Sequence, residues 1–407
     1  MRKSDGTCVL IFENDDKTSY VQDKDCLGTF RFLKLHLIRE EDMGKGKVAE
    51  NTDFIRKLQT RNDRLLRTLK ANGQLPSGIN TIEDIILEIL IHYHQNLKQG
   101  LLQDFPGLTV ETADWILKYN SDYVVAAPAI WTDSMLARFR DLLARAGFVD
   151  PRIKSEPSVV LALHAWQHEL EVAKGNGKSL LGLVQVLVDI GCGTEVSSPL
   201  SLHSETLTFR QDISQMVVES VDPEFRIRRI ATGNGSLTGS ELLNFLMEEY
   251  LRHEIFGDHL EACAEDCGLD ADAFLDRFIQ GPDGFEVAKR NFGNSTCDPL
   301  IDNWRMTFNL PRGSKEFRRL PDHPEVGGYA VSLTYHQVRG VFDEYIEQLV
   351  VPVHAQLAAI RKAHRGDSNK PQIVFAGGGS LIPYLRTELI EHFKQRGYKA
   401  SCQKYDR

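Results

Sequence analysis

Apolar residues fall at helical spacing in the stretch 53–100, where Ile82, Ile85, Ile86, Ile89, Leu90 and Tyr93 share one face. Thr81 stands just ahead of them as an N-cap, with Asp84 three residues on. The pattern then changes period. Tyr123-Val124-Val125-Ala126-Ala127 is a short apolar run stopped by Pro128, which predicts a strand, and a helix over 133–146 follows, closed by Gly147. Two more apolar runs, Val184-Gln185-Val186-Leu187-Val188 and Ile373-Val374-Phe375-Ala376, predict buried strands, and helical periods recur over 241–252 and about 337–360. Lys154-Ser155-Glu156-Pro157 predicts another helix start, because a proline in the first turn gives up no hydrogen bond. Residues 1 to about 52 are charge-dense and read as irregular, with Phe30-Arg31-Phe32-Leu33-Lys34-Leu35 as their only firm apolar patch. The alternation of strands and helices argues α/β layers. Ala173-Lys174-Gly175-Asn176-Gly177-Lys178 is the best linker, so two lobes are expected, 1–177 and 178–407.

Composition narrows the partners. With 407 residues and 42% apolar content the chain can bury a full core. A net charge of −9 gives no basic field for nucleic acid, and the Lys/Arg groups near 226–229 and 312–319 are short and interrupted. No stretch approaches the roughly 20 apolar residues that span a bilayer. Met1 to Ile11 lacks the apolar core of a signal peptide, so no membrane partner is expected and the expected compartment is the cytoplasm. Seven scattered cysteines without a CxxC pair predict reduced thiols. His259, Cys263 and Cys267 recur at four-residue steps and could hold a metal, although an apolar stripe beside a surface histidine explains them as well.

Two glycine turns carry the candidate chemistry. Asp189-Ile190-Gly191-Cys192-Gly193-Thr194 follows the second apolar run, and Gly377-Gly378-Gly379-Ser380 follows the third. Glycine has no Cβ and tolerates positive φ, so backbone N–H groups can close around phosphate oxygens or let a base pack on the main chain. Together with Val125-Ala126-Ala127-Pro128-Ala129, Ser155-Glu156-Pro157-Ser158, the segment Gly233-Asn234-Gly235-Ser236-Leu237-Thr238-Gly239-Ser240, and Glu286-Val287-Ala288-Lys289-Arg290, they stand in an order that resembles the DnaK-type, 70-kDa heat-shock ATPase domain. The segment 237–244 looks most like a divergent branch with little or no peptide-binding domain.

The resemblance implies the actin-like (ribonuclease H-like) fold, with two lobes flanking a nucleotide cleft and the first lobe incomplete. It implies ATP/ADP and Mg²⁺ as ligands, with Asp189 holding the metal through water, a hard oxygen ligand of the kind Mg²⁺ prefers. Gly191 and Gly193 would present N–H groups to phosphate, the Thr194 hydroxyl would reach the γ-phosphate, and Glu156 would bond the metal's water shell. Glu286, Lys289 and Arg290 would face ribose and adenine, while Gly233, Gly235 and Gly239 and then Gly377, Gly378 and Gly379 would line the nucleotide. The implied role is chaperone-type or regulatory, with client or regulatory proteins as partners.

Departures weaken the catalytic half of that expectation. A D-x-G-T hairpin and the downstream catalytic lysine are not recognisable; Asp5-Gly6-Thr7 lacks the intervening residue and reads as an ordinary turn. Cys192 replaces a glycine, Val196 stands in place of a second Asp with Glu195 out of register, and Leu381 replaces the arginine that stacks on adenine. The chain is expected to end without the closing strand and helix. Each lost donor or cation costs phosphoryl transfer about 10²- to 10³-fold, so hydrolysis is expected to be weak or absent. The alternative is a pseudo-ATPase: an interaction module or shortened gene product without a working site.

Overall fold

The apolar patch near the N-terminal end forms ordered turns, contrary to the irregular segment expected. Leu33–Leu37 is a 3-10 helix and Glu40–Met43 a short helix, α1, and together they bury Leu35, Leu37, Ile38 and Met43. Turns this short show no period, so hydropathy alone does not reveal them. The computed structural model describes residues 30, 33–44, 48, 52–128, 131–155, 172, 175, 184–191, 213–220, 227–229, 234–236, 239–280, 284–294, 305–309, 326–327, 330–363 and 370–402. They fall into two units, 1–163 with 194–209 and 407, and 164–193 with 210–406. The junction at 163/164 and the expected division near 178 both lie in a stretch of which only Val172 and Gly175 are described.

In the first unit the helical stretch is two helices, α2 (Thr52–Ala71) and α3 (Ile82–Asp104). Helix α2 buries Ile55, Leu58, Asn62, Leu66 and Leu69, a stripe at steps of three and four. Helix α3 starts at the cap read from sequence: Asp84 N–H donates to Thr81 Oγ1 (3.1 Å) while Thr81 N–H donates to Asp84 Oδ2 (2.9 Å), a reciprocal capping box. A further helix, α4 (Val110–Tyr119), precedes strand β1 (Val124–Ala127), helix α5 (Asp133–Arg145) and strand β2 (Arg152–Ser155). Strands β1 and β2 pair in parallel, Val124 opposite Arg152 and Ala127 opposite Ser155. Lys154 and Ser155 therefore end a strand, where the sequence predicted a helix start; Glu156 and Pro157 lie outside the described residues. Asp42 ties this unit together. Fully buried, it accepts from Ser134 Oγ (2.6 Å) and pairs with the Arg138 guanidinium, which also reaches Leu37 O.

The second unit is built on one mixed sheet. Strands β3 (Val184–Ile190), β4 (Ile213–Ser220), β5 (Ile227–Arg229) and β6 (Asn234–Ser236) come first. The helices α6 (Ser240–Tyr250), α7 (Leu260–Asp266), α8 (Ala271–Gln280) and α9 (Phe285–Lys289) follow. A small antiparallel sheet then forms from β7 (Arg305–Asn309), β8 (Val326–Gly327) and β9 (Ala330–Thr334), with β9 in the middle. The long helix α10 (Tyr335–Ala363), strand β10 (Gln372–Ala376), helix α11 (Pro383–Gln395) and strand β11 (Lys399–Cys402) complete the unit.

In the main sheet the order is β5-β4-β3-β10-β11, with β6 also on β4. Strands β3, β4 and β5 are antiparallel in turn, whereas β10 and β11 run parallel to β3. Val186, Leu187, Val188 and Ile190 are all buried, as a central strand covered on both faces requires. This α/β sheet, an antiparallel meander followed by two parallel strands on its far side, has the strand order of the ribonuclease H-like, actin-like class expected from the sequence. The closing helix and strand are present after all, as α11 and β11. They escaped the sequence reading because β11, Lys399-Ala400-Ser401-Cys402, is an edge strand without an apolar run.

Candidate functional site

Strands β3 and β10 are parallel neighbours and end level with each other, Ala376 opposite Asp189. The two glycine turns therefore leave the sheet side by side. Gly377 has φ 82° and ψ 161°, a conformation essentially confined to glycine, and a Cβ there would strike Asp189 Oδ1 and the Ile190 carbonyl. A Cβ at Gly379 would sit 2.5 Å from Ile190 Cγ2. The second turn thus packs directly on the first, and Ser380 secures it by donating its hydroxyl to Gly377 O (2.7 Å).

Helix α6 starts at the same place. Gly239 is its N-cap in extended conformation, and Ser240 N–H donates to Gly191 O at 2.9 Å. Its first turn aims backbone N–H groups and the positive end of the helix dipole toward the end of β3. Two oxygens of that turn, Ser240 Oγ and Glu241 Oε2, are buried with no hydrogen-bond partner among the described residues. Burying such groups without partners is costly, so they are suited to the polar groups of a ligand.

Glu286 and Lys289 form an inner network behind this turn. Lys289, 1% exposed, places Nζ 2.5 Å from Glu286 Oε2, 2.9 Å from Asn244 Oδ1 and 3.3 Å from Ser240 O. Asn244 Nδ2 donates back to Glu286 Oε2 at 2.7 Å. Burial alone would raise the Glu286 carboxyl, but the Lys289 ammonium and then Asn244 outweigh it and hold it below the usual carboxylate range. The ammonium has three protons and three acceptors, so Lys289 holds α9 to α6 and does not present its charge outward. The lysine expected to face ribose and adenine is thus engaged within the protein. The exposed member of the trio is Arg290, whose guanidinium lies 3.4 Å from Glu286 Oε1. Beyond α9, Phe292 O accepts from Tyr384 N–H (3.0 Å), and Gly293 (φ 85°) lies so close to the Tyr384 backbone that a Cβ would be 2.6 Å from its nitrogen.

Asp189, Gly191, Gly239, Glu286, Lys289, Arg290, Gly377 and Gly379 are thus linked through contacts at the carboxyl end of the central strands, with Gly378 inside the same turn. Gly235 lies in β6, paired opposite Ser214. Glu156, Cys192, Gly193, Thr194, Val196 and Gly233 lie outside the described residues. Ser240 and Glu241 were not singled out as ligand groups from the sequence; only the first-turn position after a glycine cap hints at them. Among the described residues no group of three or more His, Cys, Asp or Glu could hold a metal, so His259, Cys263 and Cys267 do not form one. Burial instead pushes the Cys263 thiol up to about 11. Among the described residues no helix is long and apolar enough to cross a membrane.

Residues 220–399 match a family described as a domain of unknown function (DUF8340), a span that includes Gly239, Glu286 and Gly377 but not Asp189. No curated protein matches the chain. Two similar solved structures are both of MreB5 of Spiroplasma citri. The crystal structure bound to AMPPNP has 12% identity and a TM-score of 0.42, covering 77% of this chain and 70% of that one. The crystal structure bound to ADP has 14% identity and a TM-score of 0.43, covering 81% and 73%.

Proposed function

We propose that the second unit binds an adenine nucleotide at the carboxyl ends of β3 and β10 and hydrolyses it weakly or not at all. The observation that carries this reading is the convergence there of both glycine turns and the first turn of α6. In open α/β sheets, ligands bind outside the carboxyl ends of the strands, and a helix N-terminus favours phosphate. The orphaned Ser240 hydroxyl is a group that a polar ligand would satisfy. Asp189 would hold Mg²⁺ through water; Gly191, Gly239, Gly377, Gly378 and Gly379 would let the ligand approach the main chain; the exposed, Glu286-paired Arg290 would lie along a nucleoside. Thr194, Gly193 and Glu156 keep the roles the resemblance implies. A DnaK-type chaperone or regulatory role, with protein clients, rests on motif order alone.

The inward-facing Lys289 favours a second reading, a pseudo-ATPase that keeps the fold as an interaction module. Titration with mant-ATP, with and without Mg²⁺, separates the two. Binding that strengthens with Mg²⁺ and loses that dependence in Asp189→Asn supports the first reading. Absence of binding up to millimolar nucleotide, in folded protein, leaves the second.

A further inference from the structure

Helices α10 and α11 are joined away from the glycine turns by two histidines. His354 Nε2 and His392 Nε2 are 2.9 Å apart, and the ring centroids are 5.2 Å apart. The centroid separation exceeds the N–N separation by 2.3 Å, about one ring radius for each imidazole. Both Nε2 atoms must therefore lie on the line between the rings, each aimed straight at the other. A linear approach at this distance is that of an N–H···N hydrogen bond, with one imidazole donating from Nε2 and the other accepting there. It leaves no room for a metal, which would need about 2.0–2.1 Å to each nitrogen.

Two like tautomers cannot make this bond, and neither can two imidazolium rings, since both would then bring a hydrogen to the same point. The charged groups bearing on the pair all disfavour its protonation. Arg361 lies on α10 and Arg396 at the end of α11, where its Nη1 donates to His392 O at 2.8 Å. From the β11 side, Tyr398 takes the Arg361 guanidinium on its hydroxyl and has Lys370 over its ring. Among the described residues no carboxylate pairs with either histidine, and Phe393 packs against both rings. Burial, followed by Arg396 and Arg361 at His354 and by Arg396 and the other imidazole at His392, lowers the proton affinity of both rings.

We propose that His354 and His392 share a single proton as a clasp that fastens α11 to α10 and that acid opens. The helices run side by side in the same direction and have a second fastening near the start of α11, where Tyr384 Oη donates to Asp343 Oδ1 (2.6 Å) and Arg339 holds the other carboxylate oxygen. Opening the clasp therefore frees the far end of α11 first. The pair is fully neutral above about pH 6.5, the ordinary imidazole value, and is progressively lost below it as added protons favour the separated rings.

Two measurements test this on the full-length protein. At pH 7.5, ¹⁵N spectra of the imidazoles should show one His with a protonated Nε2 and the other with a bare Nε2. Two identical tautomers would overturn the shared proton. Amide exchange of α11, corrected for intrinsic rate, should lose protection progressively as pH falls from 7.5 to 5.5. The double variant His354→Gln/His392→Gln, which keeps hydrogen-bonding side chains but cannot titrate, should lose none over the same range. Equal losses in the two proteins, with other helices as internal controls, would show that acid acts elsewhere.

Discussion

Single residues set the limits of the candidate site. Gly377 is fixed by its own backbone and by the closeness of β3, so Gly377→Ala combines a glycine-only conformation with collision against Asp189 and Ile190. The conformational part alone costs about 1–3 kcal/mol. Urea denaturation should show at least that loss for Gly377→Ala, and a near-neutral result would mean the turn does not sit on β3. Lys289 makes the opposite point. The spacing of Glu286, Lys289 and Arg290 was legible as one helix face, but spacing does not say whether that face meets solvent or protein. Because Lys289 neutralises a buried carboxylate, Lys289→Ala should destabilise by about 3–5 kcal/mol. Glu286→Gln/Lys289→Met, which leaves no unpaired charge, should cost clearly less. A Lys289→Ala protein as stable as the parent, with weaker nucleotide binding, would restore the ligand-facing role.

At the scale of elements, what the sequence revealed depended on whether a segment is held by its own pattern or by its neighbours. Helix α3 is of the first kind, its cap and stripe both local. Thr81→Ala removes one half of the capping box and should lower stability by about 1 kcal/mol. The Asp84 carboxyl is held below its ordinary value: burial opposes this, but hydrogen bonds from Asn80 N–H and from the Thr81 hydroxyl and N–H outweigh it. Its contribution is therefore complete above about pH 3.9 and is lost as pH falls toward the lowered value. The Thr81→Ala deficit should accordingly shrink in acid titrations below pH 4; a deficit constant down to pH 2 would separate Thr81 from Asp84. Strands β2 and β11 are of the second kind. Arg152-Ile153-Lys154-Ser155 and Lys399-Ala400-Ser401-Cys402 carry little apolar signal and become strands by pairing with β1 and β10. Local reading therefore saw a strand in neither, and placed Lys154 and Ser155 of the first at the opening of a helix.

For the whole molecule, the sheet order has a consequence that linear sequence hides. The core strand β3 lies near the middle of the chain, yet its parallel partner β10 and the edge strand β11 come from the last 36 residues, 372–407, with α11 between them. The second unit is thus closed by its C-terminal end, which supplies Ile373, Val374 and Phe375 to the core and the glycine turn to the site. A chain ending at 370 would leave one edge of β3 unpaired, exposing Val186 and Val188 beside an open ladder, the arrangement that invites aggregation. It should fail to fold its second unit, with lost helical signal in circular dichroism and no nucleotide binding. A chain ending at 402 keeps every described strand and should retain the helical signal of its second unit. If the chain ending at 370 unfolds cooperatively with the stability of the full protein, β10 is not part of the core sheet, and the meeting of the two glycine turns falls with it.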